Sequence, residues 1–263
     1  MNKAFRIFCW VMVIVGCSTG ICRADEVTDW NRFMLDALRT GGATGVVATR
    51  PAAIVQAAVF DAINGIERRY QPIHMQPGAA PGASRRAAVV QAAYATLVKL
   101  FPAQKTDLDT KRAVSLAGIA SEEAVGHSQS IARGIEWGQE VADGIWAWRS
   151  TDGFSAVRSP YTGAVAPGQW RPTPPAFAPM AALNFAFMST WIINSPFQFP
   201  LPGPPAMTSA KYLADFNEVK SLGSASSATR TSDQTLAARF WASAYVSKLK
   251  GPDWPGRWHA AQF

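Results

Sequence analysis

Apolar residues recur at spacings of three and four along most of the chain, the period of a helix with one buried face. Over 27–39 the stripe is Trp30, Phe33, Met34, Ala37 and Leu38, and Gly41-Gly42 supplies a stop. Thr49 followed by Arg50-Pro51 reads as an N-cap and first turn of a second helix running to about residue 70. Ile54, Val55, Val59, Phe60 and Ile63 make that helix apolar on nearly every side, so it belongs in the interior. Asp61 and Asn64 lie three apart on it and need hydrogen-bond partners if buried; a structural pair tying helices together is their expected role. A turn-rich stretch with Pro72, Pro77 and Pro81 leads to a third helix over 84–101, striped by Val90, Ala93, Tyr94, Leu97 and Phe101 and ended by Pro102. Two more are predicted over 104–117 and 121–149, the second capped by Ser121 with Glu122 and Glu123 in its first turn, where the helix dipole favours acids.

Past Asp152-Gly153 the periodicity stops. Of the 18 prolines, 11 lie between Pro160 and Pro205, mixed with Tyr161, Trp170, Phe177, Phe185, Phe187, Trp191, Phe197 and Phe199. Aromatics every few positions predict that 153–208 meanders across the helical body, held down by its rings, with one short helix or strand within 182–193. Helical spacing resumes at Ser209 with Tyr212, Leu213, Phe216 and Val219 and ends at Leu222-Gly223. Thr231-x-x-Gln234 is a capping-box pattern opening a further helix through Leu236, Phe240, Trp241 and Tyr245, and residues 257–263 read as the start of another. The fold class expected is all-α: an incomplete helical bundle with a long irregular segment rich in proline and aromatic residues.

The first 24 residues follow a different logic. Lys3 and Arg6 give a positive start, 7–16 is an apolar run of ten, and Ala24 is a small residue before Asp25. These are the parts of a secretory signal cleaved after Ala24, and ten apolar residues fall well short of the ~20 that span a bilayer. Export to a periplasm or the medium is expected. Ile14-Val15-Gly16-Cys17 also resembles a lipobox, which leaves open a lipoprotein anchored through Cys17. Cys9, Cys17 and Cys22 all fall inside the signal, so the mature part over 25–263 has no cysteine and no thiolate or cysteine–metal chemistry. Removing Lys3, Arg6 and Arg23 takes the net charge from +7 to +4, too small and scattered an excess for nucleic acid.

Candidate chemistry is sparse. His74, His127 and His259 are scattered rather than spaced as ligands, so no metal is expected. No Gly-x-Ser-x-Gly elbow, phosphate-binding glycine loop or dinucleotide fingerprint occurs, and Asp107 with Asp109 or Glu122 with Glu123 would be splayed apart by a helix.

Several segments in series do resemble a family. They are the run 52–66 (AAIVQAAVFDAINGI), then 97–102, 146–153 (WAWRSTDG) and 170–175 (WRPTPP), followed by 219–223, 230–235 leading to Phe240-Trp241, and 255–258. In this order they resemble the N-terminal half of the vanadium-dependent haloperoxidase and type 2 phosphatidic acid phosphatase superfamily. The resemblance implies a helical exported protein and, in a complete relative, a vanadate or phosphate site. That site is built from three motifs: Lys followed after six residues by Arg-Pro, Pro-Ser-Gly-His, and Ser-Arg followed after five residues by His. Cationic side chains and glycine-flanked amides there neutralise the oxyanion while histidines serve as apical ligand or acid/base.

None of the three is present. Arg50-Pro51 and Arg171-Pro172 have Ala43 and Ala164 where lysine belongs, Gly126-His127 follows Ala124-Val125, and Ser84-Arg85 puts Gln91 where His is needed. No catalytic, cofactor-binding or metal residue is therefore assigned, and no cofactor is expected in this chain alone. The expectation is a haloperoxidase-like protein shortened before its oxyanion-binding half and inactive by itself. An exported helical binding or scaffold module, or one half of a split enzyme, stays open beside it. Either way, self-association or a partner chain is expected to cover apolar faces such as that of Leu236, Phe240 and Trp241.

Overall fold

The computed structural model describes residues 25–43, 45–122, 128–173 and 176–246, and these form seven α-helices with short 3-10 turns. The first, α1 (Glu26–Thr40), starts at Asp25, whose carboxylate accepts the Thr28 N–H at 2.9 Å, and stops at Gly41, whose N–H donates to Ala37 O. Helix α2 (Thr49–Glu67) is entered through a 3-10 turn, Gly45–Ala48. Thr49 is therefore not a cap: it sits inside a continuous helical run, and its hydroxyl donates back to Val46 O at 2.6 Å.

Asp61 and Asn64 are both buried, and their partners are backbone groups just beyond α2. Asn64 Oδ1 accepts the N–H groups of Arg69 and Tyr70, and its amide donates to Tyr70 O. Asp61 accepts the N–H groups of Ile73, His74 and Met75 at 2.8–2.9 Å. The pair is structural, but it staples the following loop to α2 rather than joining two helices. Arg68 makes the reversal in left-handed conformation, φ 55° and ψ 39°.

Helix α3 (Arg85–Leu100) begins at Ser84, whose hydroxyl caps the Ala87 N–H, and Pro102 opens the 3-10 turn that closes it. The next helix, α4 (Lys105–Glu122), runs further than the spacing suggested. Ser121 lies inside it with its hydroxyl donated to Gly118 O, so it opens no new helix: a lone glycine did not break the turn pattern. Helix α5 (Ser128–Ser150) follows, and the start expected at 121 is corrected accordingly.

Helix α3 is the axis of the body, packed by α1, α2, α4 and α5. On one side Trp30, Met34, Val55, Val59, Val90 and Leu97 are buried together, and on the other Ile54, Ala58, Ala92, Trp137, Val141 and Ile145. Against α5 the contact is backbone on backbone. A Cβ at Gly138 would lie 2.5 Å from Ala88 O, and one at Gly134 would collide with Ser84 O. Similarly Gly65 on α2 leaves the space filled by the Trp137 indole, whose N–H donates to Ala62 O at 2.9 Å. The stretch 45–67 is long and apolar enough to cross a membrane by length and composition, yet half of it is buried here among the other helices.

The described residues of 153–208 are irregular, as expected, apart from the 3-10 turn Leu183–Phe187 within the 182–193 window. Only part of this segment is held to the body by its rings: Trp191 meets Trp148 edge-on and Phe154 lies against the Arg50 guanidinium, while Phe154 and Phe185 pack edge-on within the segment itself. Val157, Val165, Phe197, Phe199 and Leu201 stand exposed, so the idea of a segment docked along its whole length is corrected. The last two helices are α6 (Ala210–Leu222), capped by Ser209, and α7 (Ser232–Val246). Thr231 and Gln234 form the expected capping box, each accepting the other's backbone N–H. The signal and the helix expected over 257–263 lie outside the described residues.

Candidate functional site

The most elaborate polar cluster is buried where the first turn of α2 meets the end of α5. Arg50 reaches across so that its Nη2 donates to Arg149 O at 2.6 Å, a helix-end carbonyl that also takes the Asp152 N–H at 3.4 Å. Its Nε donates to Asp152 Oδ2 at 2.8 Å, and Arg149 Nη2 donates to the same oxygen at 2.8 Å. Asp152 Oδ1 takes the Phe154 N–H. Arg149 further donates to Ser189 O and Thr190 O, and the Ser189 N–H returns to Asp152 O at 2.8 Å. Its guanidinium lies over the Trp148 and Trp191 rings, while Arg50 lies over Phe154.

Burial pushes the Asp152 carboxyl up, but the Arg50 hydrogen bond, the Phe154 N–H and the two guanidinium charges outweigh it and hold it below the usual carboxylate range. Burial pulls Arg149 below the ordinary arginine range; the Asp152 charge opposes that and the Arg50 charge adds to it. Two cations thus share one anion in the interior. Among the described residues, Arg149 Nε is a buried side-chain nitrogen with no hydrogen-bond partner. The cluster fixes how the chain leaves α5 and where 189–191 returns; its carboxylate is fully occupied, so it offers no base or nucleophile.

A cavity of about 680 Å³ opens between α1, α3 and α4, with Phe33, Val89 and Val114 on its walls and Glu26, Arg86 and Glu122 among its polar lining. Arg86 is held by both carboxylates of Glu26 and Glu122, and the Glu26 hydrogen bonds push its pKa up despite partial burial. The other cations lining the cavity, Arg85 and Lys111, are paired with Glu67 and Asp107. An incoming oxyanion would have to displace a carboxylate at each of them.

The positions tested by motif are scattered. Ser84 is a helix cap, Gln91 is buried between Gln139 and Arg112, and Arg171 is exposed. His74 stacks on Trp148 with ring centroids 4.4 Å apart, and His127 and His259 lie outside the described residues. No group of three or more His, Cys, Asp or Glu side chains among the described residues could hold a metal ion. Sequence reasoning missed the Arg50–Arg149–Asp152 cluster, although Arg149 and Asp152 stand in the quoted run 146–153. Their spacing of three at a helix end was the available signal.

No family model and no curated protein matches the chain. Among solved structures, it superposes on a bacterial vanadium-dependent iodoperoxidase with a TM-score of 0.67 over 85% of its length, at 20% sequence identity. The fold is that of a helical haloperoxidase. The match takes in 57% of the iodoperoxidase chain, so this chain spans little more than half of the haloperoxidase it matches, which fits the resemblance to one half of the fold. Vanadium dependence is the iodoperoxidase's, and in this chain neither the buried cluster nor the cavity is built to take an oxyanion such as vanadate. A trigonal-bipyramidal oxyanion needs several converging cations without carboxylates of their own, and Arg50, Arg85, Arg86, Lys111 and Arg149 are each paired with an acid.

Proposed function

We propose that this chain is the helical front part of an exported haloperoxidase-like protein, that residues outside these 263 carry the oxyanion site, and that the chain is inactive alone. One observation carries the reading: the match covers most of this chain but only 57% of the iodoperoxidase. The pairing of the cations named above supports it, since none of them can replace the hydration of a multiply charged anion without first losing its own partner. The role of these residues is to frame and bury, and vanadate belongs to the remainder of the fold.

Calorimetric titration of the purified chain with vanadate, followed by an iodide and bromide oxidation assay with peroxide, tests the reading. No binding and no turnover are expected. Micromolar binding abolished by Arg50→Ala or Arg86→Ala would overturn it.

Export rests on Lys3, Arg6, the apolar run over 7–16 and Ala24. Mass spectrometry of the protein from its native host is expected to find Asp25 at the N-terminus. An intact Met1 in the membrane fraction would refute cleavage, and a lipid-bearing Cys17 would establish the lipoprotein variant instead.

A further inference from the structure

Three helix faces turn toward one chamber. Asp29 and Phe33 of α1, Arg86 and Val89 of α3, and Val114 and Gly118 of α4 line it, each pair three or four residues apart as a single helical face requires. The space they enclose is the cavity of about 680 Å³, within the range of about 300–1,000 Å³ usual for sites that hold a drug-sized molecule.

Packing does not account for Gly118. The other helical glycines of the body make room for a neighbour: Gly65 for the Trp137 indole, Gly144 for Met75, and Gly134 and Gly138 for the α3 backbone. A Cβ at Gly118 would meet nothing within 4 Å. Glycine is, after proline, the residue least favoured inside a helix, so α4 carries it at a cost to stability that no contact among the described residues offsets. What the missing side chain leaves is volume in the cavity, because Gly118 lies on the α4 face that lines it.

The charges at the rim decide what fits. Arg85 is paired with Glu67, Arg86 with Glu26 and Glu122, and Lys111 with Asp107. Asp25 caps α1 through the Thr28 N–H, and Asp29 lies 3.7 Å from Arg32. An anion would have to take a cation from its carboxylate, and a cation would have to compete with one already in place. Between these groups the walls are apolar, formed by Val27, Phe33, Ile63, Val89 and Val114. We infer that the cavity between α1, α3 and α4 is a binding site for an uncharged, largely apolar small molecule, and that Gly118 keeps it open. Burial of the ligand's apolar surface supplies the affinity, and the paired rim selects against charge.

The test uses the full chain and two dyes whose fluorescence rises in apolar surroundings, neutral propionyl-dimethylaminonaphthalene and anionic anilinonaphthalene sulfonate. Saturable binding of the neutral dye at one site per chain is expected, with the anionic dye weaker by roughly ten-fold or more. Gly118→Leu places a side chain in the cavity and improves helix propensity, so its thermal melt is expected to match or exceed that of the natural chain while neutral-dye affinity falls by roughly ten-fold or more. Val114→Trp, at an exposed position of the same wall, fills the space from a second point and keeps the test decisive if the first variant misfolds. Ala120→Leu, exposed on α4 and outside the cavity lining, is the control and is expected to bind as the natural chain does. Neutral-dye binding that both filling variants leave unchanged would put the dye on apolar side chains elsewhere and overturn the site, as would the absence of saturable binding to the natural chain. Equally tight binding of the anionic dye, lost in Gly118→Leu, would overturn the uncharged class of ligand.

Discussion

Arg50 and Asp152 are 102 residues apart in the chain and meet at 2.8 Å in its interior. The contact closes the first turn of α2 onto the exit of α5, and Arg149 locks it by sharing the same carboxylate oxygen. Asp152→Asn removes the charge and leaves two buried guanidiniums facing each other. Truncating one member of a buried pair costs about 3–5 kcal/mol. Urea unfolding followed by circular dichroism is expected to show a loss of that size; a loss within about 0.5 kcal/mol would mean that the cluster does not hold the structure.

The same carboxylate gives a pH dependence whose sign is fixed. Its folded pKa lies below the ordinary value, so it contributes stability that is present above the unfolded carboxylate range near 4 and is lost as pH falls through the folded value. Melting temperatures measured from pH 6 downward are expected to fall more steeply below about pH 4 in the natural chain than in Asp152→Asn.

Asp61 serves three backbone N–H groups of residues 73–75. Asp61→Ala leaves them without that acceptor, at a cost on the order of 3 kcal/mol. Limited trypsin digestion is expected to cut faster after Arg68 or Arg69 in this variant while the rest of the body resists, because the staple from α2 to the loop is gone.

Two glycines should respond in opposite directions. At Gly138 any side chain meets the Ala88 carbonyl, so Gly138→Val is expected to destabilise by about 2–3 kcal/mol. At Gly118, inside α4, an added Cβ meets nothing within 4 Å, so Gly118→Ala is expected to stabilise by about 0.5–1 kcal/mol through helix propensity alone. Thermal melts of the two variants side by side decide it.

The helices were legible in the sequence wherever an apolar stripe coincided with a local stop or cap, as at Gly41, Ser84, Ser209 and the Thr231–Gln234 box. The reading failed where a cap-like residue sat inside a run with no breaker. Thr49 bonds back into the 3-10 turn that leads into α2 and Ser121 into its own helix, and nothing in their spacing distinguishes that from a cap. The Asp61–Asn64 pair was recognisable as structural from its place on an apolar helix, but its partners are backbone groups, which carry no sequence signature. The buried Arg50–Asp152 contact was invisible for a related reason: it joins segments 102 residues apart, and only the packing of α2 on α5 brings them together. The exposure of Phe197 and Phe199 shows the limit of composition, since aromatic content says that a segment can bind a surface and not which surface it finds.

Where α3 faces α5 it presents Ala87, Ala88 and Ala92, and α5 answers with Gly134 and Gly138. Most protein interiors are sensitive chiefly to the loss of methyl groups. This seam has few to lose, so the greater hazard is reversed: trimming an alanine to glycine costs about 1 kcal/mol of helix propensity, whereas an added side chain at Gly134 or Gly138 runs into the facing backbone. Variation along it is confined to residues no larger than alanine, while Trp30, Leu97 and Ile145 at the flanks keep the usual freedom to exchange one bulky shape for another.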